Sequence, residues 1–125
     1  ILDQIKPDII ALTEHNMKQN EIERFNLEKF SVTSEYSRTT STGGGVVIMS
    51  GKGLNSKALK LKVVEELTED KLFECCAAKY KINSLSIVLV GIYRKPQLQN
   101  VEFLTRLDKL LEVLAGLKDV KNSVI

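Results

Sequence analysis

The chain has one histidine and two cysteines, and each scarcity closes off a class of chemistry. A single imidazole, His15, offers no catalytic pair, so no Ser-His-Asp arrangement can be argued from it. The cysteines are neighbours, Cys75 and Cys76. Neighbours on a strand point to opposite faces, so these two are badly placed to bond each other or share a metal. They read instead as two small buried apolar side chains. With no disulfide framework, a reducing compartment is expected, and so an intracellular setting, nuclear or cytoplasmic. No apolar run approaches the roughly 20 residues of a membrane span, and the first residues lack the pattern of a signal peptide. No repeat or low-complexity tract is present. Neither sign of charge dominates: a formal net charge of +2 permits a nucleic-acid partner without arguing for one.

What is present is the balance of an ordinary globular protein, 43% hydrophobic and 27% charged. The 125 residues suit one domain or a piece of one. Residue 1 is an isoleucine, and the closing "NSVI" reads as the start of another apolar run, so an internal fragment of a longer domain is expected. Ile1 to Ile5 read as the tail of a helix interrupted before Pro7. Asp8 to Thr13 read as a short strand covered on both faces, because its apolar run is continuous. Lys18 to Phe25 suit a short polar helix capped by Asn16. Phe30 to Ser34 and Leu59 to Val64 alternate as half-buried strands do. Gly45 to Met49 is another buried strand, followed by a turn over Ser50 to Asn55. Leu72 to Tyr80 and Leu85 to Tyr93 form two further strands around a turn at Asn83 and Ser84. From Asn100 to Leu117 the period changes, and Phe103, Leu104, Leu107, Leu110, Leu111, Leu114 and Leu117 mark one helical face, with Asn100 as its N-cap. The helix charges Arg106, Asp108, Lys109 and Glu112 read as its solvated face. Consecutive strands between two helical stretches imply hairpins, and so an α/β fold with a mixed sheet.

Two residues stand where α/β folds collect ligands, at the carboxyl ends of strands. Glu14 ends "IIALTEH". A carboxylate fixed there is a hard ligand suited to Mg²⁺, or else a solvated acid at a strand end. Tyr93 ends "LSIVLVGIY" and is followed by Arg94 and Lys95. A phenol beside two cations suits a phosphodiester, or else Tyr93 is an amphipathic residue closing the core before the turn at Pro96. "TGGGVV" is no P-loop: no Gly-Lys-Ser/Thr follows, and it leads into a strand. Gly43 to Gly45 suit close backbone packing or a bulge at strand entry. His15 reads as a rim residue beside Glu14.

"LTEH", then "GGGVVIM", then "IYRKP", then an amphipathic helix, resembles in that order the endonuclease/exonuclease/phosphatase superfamily. The nearest branch is the apurinic-endonuclease-like domain that precedes the reverse transcriptase of non-LTR retrotransposons. The likeness spans roughly Ile5 to Ile125, and it rests on the order and spacing of short motifs. It implies a single incomplete domain over residues 1–125, part of a four-layer α/β sandwich with mixed sheets and flanking helices. It implies that Glu14 binds the catalytic Mg²⁺ or Mn²⁺ and that Tyr93 contacts the scissile phosphate, with Arg94, Lys95, His15 and Asn16 as weaker phosphate or DNA contacts. The implied reaction is metal-dependent phosphodiester hydrolysis, nicking DNA for target-primed reverse transcription. The implied partners are DNA and a reverse transcriptase domain in the same polypeptide, with no membrane.

The departures from the family pattern matter. The family's first metal-site Asn, its "GDFN" motif (due directly after "NSVI") and its late Asp and His are absent, and Asp8, Asp119 and His15 do not match them. The chain alone is therefore expected to be inactive, and to self-associate through sheet faces meant for the missing half. Two other readings stay open: a non-catalytic binding or interaction remnant of this fold, and a relative acting on phosphoinositide or sphingolipid head groups.

Overall fold

Apolar runs in this chain become strands of two facing sheets. The structure, a computed structural model, describes residues 2–25, 27–55, 57–97, 99–117 and 123–124. Ile1, Asp119 and Ile125 therefore lie outside the described residues. The order is α1 (Leu2–Ile5), β1 (Ile9–Thr13), α2 (Gln19–Arg24), β2 (Phe30–Tyr36), β3 (Val46–Gly51), α3 (Lys52–Asn55), β4 (Ala58–Lys60), α4 (Lys62–Glu65), β5 (Glu74–Ile82), β6 (Leu85–Tyr93), α5 (Asn100–Gly116) and β7 (Ser123–Val124). This is a mixed α/β arrangement. The first sheet is antiparallel in the order β1-β3-β2, and the second runs β4-β5-β6-β7. In the second sheet β4, β5 and β6 are antiparallel, and the two-residue β7 lies parallel to β6.

Strand alternation sorts the apolar side chains into three clusters. In β3, Val47 and Met49 face α2 and pack with Ile22, while Val46 and Ile48 face the second sheet and pack with Cys76, Ala78 and Tyr80. In β5 the neighbours of that inner set, Cys75 and Ala77, point the other way and pack with Leu110 and Leu114 of α5. The two cysteines thus face opposite sides, as the sequence implies, and burial pushes both thiols up to about 12. Gly91 of β6 has a packing reason: a Cβ there would stand 2.6 Å from Val46 Cγ1. Between the sheets, Ser50 Oγ and the Tyr80 hydroxyl lie 2.6 Å apart, and Ser34 Oγ donates to Glu65 Oε1 at 2.7 Å, so these buried hydroxyls are satisfied.

Several sequence expectations shift. The run over Asp8 to Thr13 forms a strand, but at a sheet edge, with Leu12 40% exposed, so it is not covered on both faces. The alternation of β2 is interrupted by a bulge at Thr33, between Val32 and Ser34. The stretch Leu59 to Val64 is only briefly a strand: after Lys60 it turns into α4, burying Leu61 and Val64 three positions apart, a helical spacing. Helix α2 begins with Lys18 at the cap position, whose N–H donates to Glu21 Oε2 at 2.7 Å, so Asn16 is not its cap. In α5 the cap position is Gln99, not Asn100. The expected single apolar face of α5 is split, because Leu110 and Leu114 are buried whereas Leu104 and Leu111 are more than half exposed.

Candidate functional site

One rim of the two sheets gathers five strand ends. Thr13 of β1 and Tyr36 of β2 both register with Val46, where β3 begins. In the second sheet Glu74, the first residue of β5, pairs with Tyr93, the last of β6. The segments after β1, β2 and β6 and before β3 and β5 therefore meet there.

Glu14 follows β1 directly, and its carboxylate is exposed. Its backbone lies in the left-handed region at φ 56°, as does that of Asn16 at φ 60°. Each such conformation costs on the order of 1 kcal/mol for a residue with a Cβ and persists only where its surroundings impose it. Here the glycine loop imposes it: Glu14 N–H donates to Gly45 O at 2.7 Å and Asn16 N–H to Gly44 O at 2.9 Å. The glycines are needed. Gly44 and Gly45 have φ of 66° and 93°, and a Cβ would collide with the Arg38 guanidinium and Glu74 carboxylate at the first, and with the His15 ring at the second. Close packing is thus the role of Gly44 and Gly45.

The two residues singled out at strand ends meet. The Tyr93 hydroxyl donates to Glu14 Oε1 at 3.3 Å, across 79 positions of sequence. Partial burial and then the neighbouring Glu14 carboxylate raise the phenol above its ordinary pKa, so it keeps its proton at neutral pH.

The other residues fall out differently. His15 is no open rim group: its Nε2 lies 3.1 Å from Tyr36 O and Met17 N–H donates to its Nδ1 at 3.0 Å, which makes Nε2 the protonated nitrogen. Burial lowers its pKa, against the opposing effect of Glu35 and Glu74. Arg94 turns back onto α5, donating to Asn100 Oδ1 and lying 5.3 Å over the Phe103 ring. Lys95 is exposed and lines a shallow cleft of about 370 Å³ with Asp70, Lys71, Pro96 and Gln97. Asn16 is exposed beside Gly43. A larger cleft, about 1020 Å³, opens at the opposite end of the first sheet among Lys6, Asp8, Lys29, Phe30 and Lys52, away from Glu14 and Tyr93.

Arg38 and Glu74 belong to no motif or periodic pattern in the sequence. They form a buried ion pair, with Arg38 Nη2 2.6 Å and Nε 2.9 Å from Glu74 Oε2. Gly45 N–H donates to Glu74 Oε1 at 2.8 Å, and Arg38 Nη1 donates to Thr42 O at 3.0 Å. The one available signal was a carboxylate inside the apolar stretch "LFECCAA". The Arg38 loop has further ties: Lys18 Nζ donates to Arg38 O at 3.1 Å, and Asp70 accepts from Thr40 Oγ1 at 3.2 Å and from the Tyr36 hydroxyl.

Chemically, the rim offers one exposed carboxylate oxygen for a hard cation and one protonated phenol able to donate to an anionic oxygen. Among the described residues no group of three or more His, Cys, Asp or Glu could hold a metal ion. Glu14 alone does not make a Mg²⁺ site, because Mg²⁺ requires near-octahedral oxygen ligation. No protein-family model, curated protein or solved structure matches the chain.

Proposed function

We propose that this chain is part of a metal-dependent phosphodiesterase domain of the endonuclease/exonuclease/phosphatase type, acting on DNA, with Glu14 as one metal ligand and Tyr93 as a phosphate contact. The observation that carries the reading is the 3.3 Å hydrogen bond from the Tyr93 hydroxyl to Glu14 Oε1. Two strand ends, chosen in the sequence for metal and phosphate chemistry, lie within one hydrogen bond of each other. A phosphate oxygen bound to a cation on Glu14 would lie within reach of that phenol. The clusters support the finer architecture: one lies under α2, one between the sheets and one under α5, the order of layers in a helix–sheet–sheet–helix sandwich. In this reading the remaining metal ligands come from sequence outside the chain and from the substrate phosphate.

The test is supercoiled-plasmid nicking with Mg²⁺ or Mn²⁺. The 125-residue chain is expected to leave the plasmid intact. A longer polypeptide that contains this chain together with a downstream "GDFN" is expected to nick it, and Glu14→Ala is expected to abolish that activity. Wild-type nicking by the Glu14→Ala polypeptide would remove Glu14 from the site. A second reading, a non-catalytic binding module on the same fold, draws on the absence of a three-ligand cluster among the described residues. A longer polypeptide that binds DNA without nicking it under either metal would favour that reading.

A further inference from the structure

The Arg38–Glu74 pair is costly to bury and does little that an apolar pair could not do for stability. Its side chains are 8% and 1% exposed. Desolvating two charges offsets most of their attraction, and apolar residues of similar volume often hold such a position as well or better. What an apolar pair could not supply is the set of directed bonds. Glu74 Oε1 accepts from Gly45 N–H at 2.8 Å while Oε2 holds Arg38, which in turn fixes Thr42 O at 3.0 Å, the residue before the three glycines. Gly45 then accepts from Glu14 N–H at 2.7 Å and Gly44 from Asn16 N–H at 2.9 Å, holding both residues in the left-handed region. Glu74 is also the cross-strand partner of Tyr93. A single carboxylate in the second sheet is thus bonded to the loop that holds Glu14 and stands beside the strand end that carries Tyr93.

We infer that Arg38 and Glu74 are positioning residues: through Gly45 they fix the backbone of Glu14 so that its carboxylate meets the Tyr93 hydroxyl. The functional meaning rests on the reading of Glu14 as a metal ligand and Tyr93 as a phosphate contact. The bond from Tyr93 to Glu14 is present without metal and can be measured without it. Neither residue touches the reacting groups; they act through the glycine loop.

The experiment uses the 125-residue chain with ¹³C-labelled tyrosine, the Tyr93 signal being assigned with Tyr93→Phe. The readout is the change in the Tyr93 phenol midpoint when Glu14 is replaced by Gln. In the otherwise wild-type chain Glu14→Gln lowers that midpoint, because a neighbouring negative charge is removed. In an Arg38→Leu/Glu74→Leu background, which leaves no unpaired charge, the drop shrinks to less than half. A folded double variant that keeps the full drop overturns the proposal, since the pair would then only join the sheets. A second measurement needs no variant: hydrogen exchange at the Glu14 and Gly45 amides is expected to be slowed at least tenfold relative to an unstructured chain, and exchange at the unstructured rate overturns the brace. The metal reading is decided separately, by nicking with the longer polypeptide: wild-type nicking by its Glu14→Ala form removes Glu14 as a ligand, while the coupling and exchange measurements still decide the brace.

Discussion

Strands β1 and β3 carry apolar runs of the same kind, "IIAL" and "VVIM", and pair with each other in antiparallel register from Ile9↔Ser50 to Thr13↔Val46. Their fates differ. In β3, residues Val46 to Met49 are at most 1% exposed, whereas Leu12 of β1 is 40% exposed. The difference comes from sheet order. β3 is paired on both sides and covered on both faces, by α2 and by the second sheet, while β1 pairs only with β3 among the described residues. The strand that carries the candidate ligand is thus the less supported of the two. Glu14 does not inherit its position from the packing of β1. It is held from outside, by a glycine loop that a buried ion pair anchors to the second sheet. An apolar edge of this kind is also where a further strand would add.

The sharpest way to break this contrast is to cut the outside support. Arg38→Ala strands the Glu74 carboxylate, 1% exposed, without its cation. A lone buried charge of this kind costs about 3–5 kcal/mol. Urea unfolding should show that loss. A loss below about 1 kcal/mol would mean that the carboxylate escapes to water and that the loop does not depend on the pair.

The next step compares the strands directly. Ile48→Ala in β3 removes a fully buried side chain from between the sheets, and is expected to cost about 2–5 kcal/mol. Leu12→Ala in β1 is expected to cost less than about 1 kcal/mol, because part of that side chain already faces water. Equal losses at the two sites would show that β1 is as well covered as β3.

The same contrast explains what could be read from the sequence. The hairpin expected over 72–80 and 85–93 is found at 74–82 and 85–93, and the helix expected over 100–117 at 100–116, because a hairpin turn and a helical period are local patterns while exact strand ends are not. Sheet order is not local, so β1 and β3 looked alike. The brief β4 and the turn of α4 were read as one strand because Leu59, Leu61 and Val63 alternate, and only burial of Leu61 with Val64 exposes the helical spacing. Glu14 and Tyr93 were each legible as strand-end residues, but their meeting depends on how two sheets pack. Arg38 and Glu74 lie 36 positions apart and join different sheets, so no spacing rule could pair them. Asn16 suits a cap because amides favour that role, yet the cap position falls two residues later, at Lys18, while Asn16 is held in the left-handed region by its bond to Gly44 O.

The smallest expected effect concerns the hinge between β1 and its loop. His15 Nδ1 accepts from Met17 N–H at 3.0 Å, and its Nε2 lies 3.1 Å from Tyr36 O, so the neutral ring spans from β1 toward β2. Protonating Nδ1 would set two donors against each other. Burial holds the folded pKa below the ordinary value of 6.5, with Glu35 and Glu74 working the other way. The unfolded chain therefore takes up the proton first. The stability from this group is intact above about pH 6.5 and is lost as the pH falls from there through the lower folded value. Thermal melts at pH 7.5 and pH 5.5 should show a drop in the wild-type chain that is larger than in His15→Gln, the difference isolating the imidazole from the carboxylates. Hydrogen exchange should place that loss at residues 14–17 and leave the amides of β3 at their neutral-pH protection. A wild-type chain that gains stability relative to His15→Gln on acidification would reverse the sign and show that the two carboxylates, not burial, govern the ring.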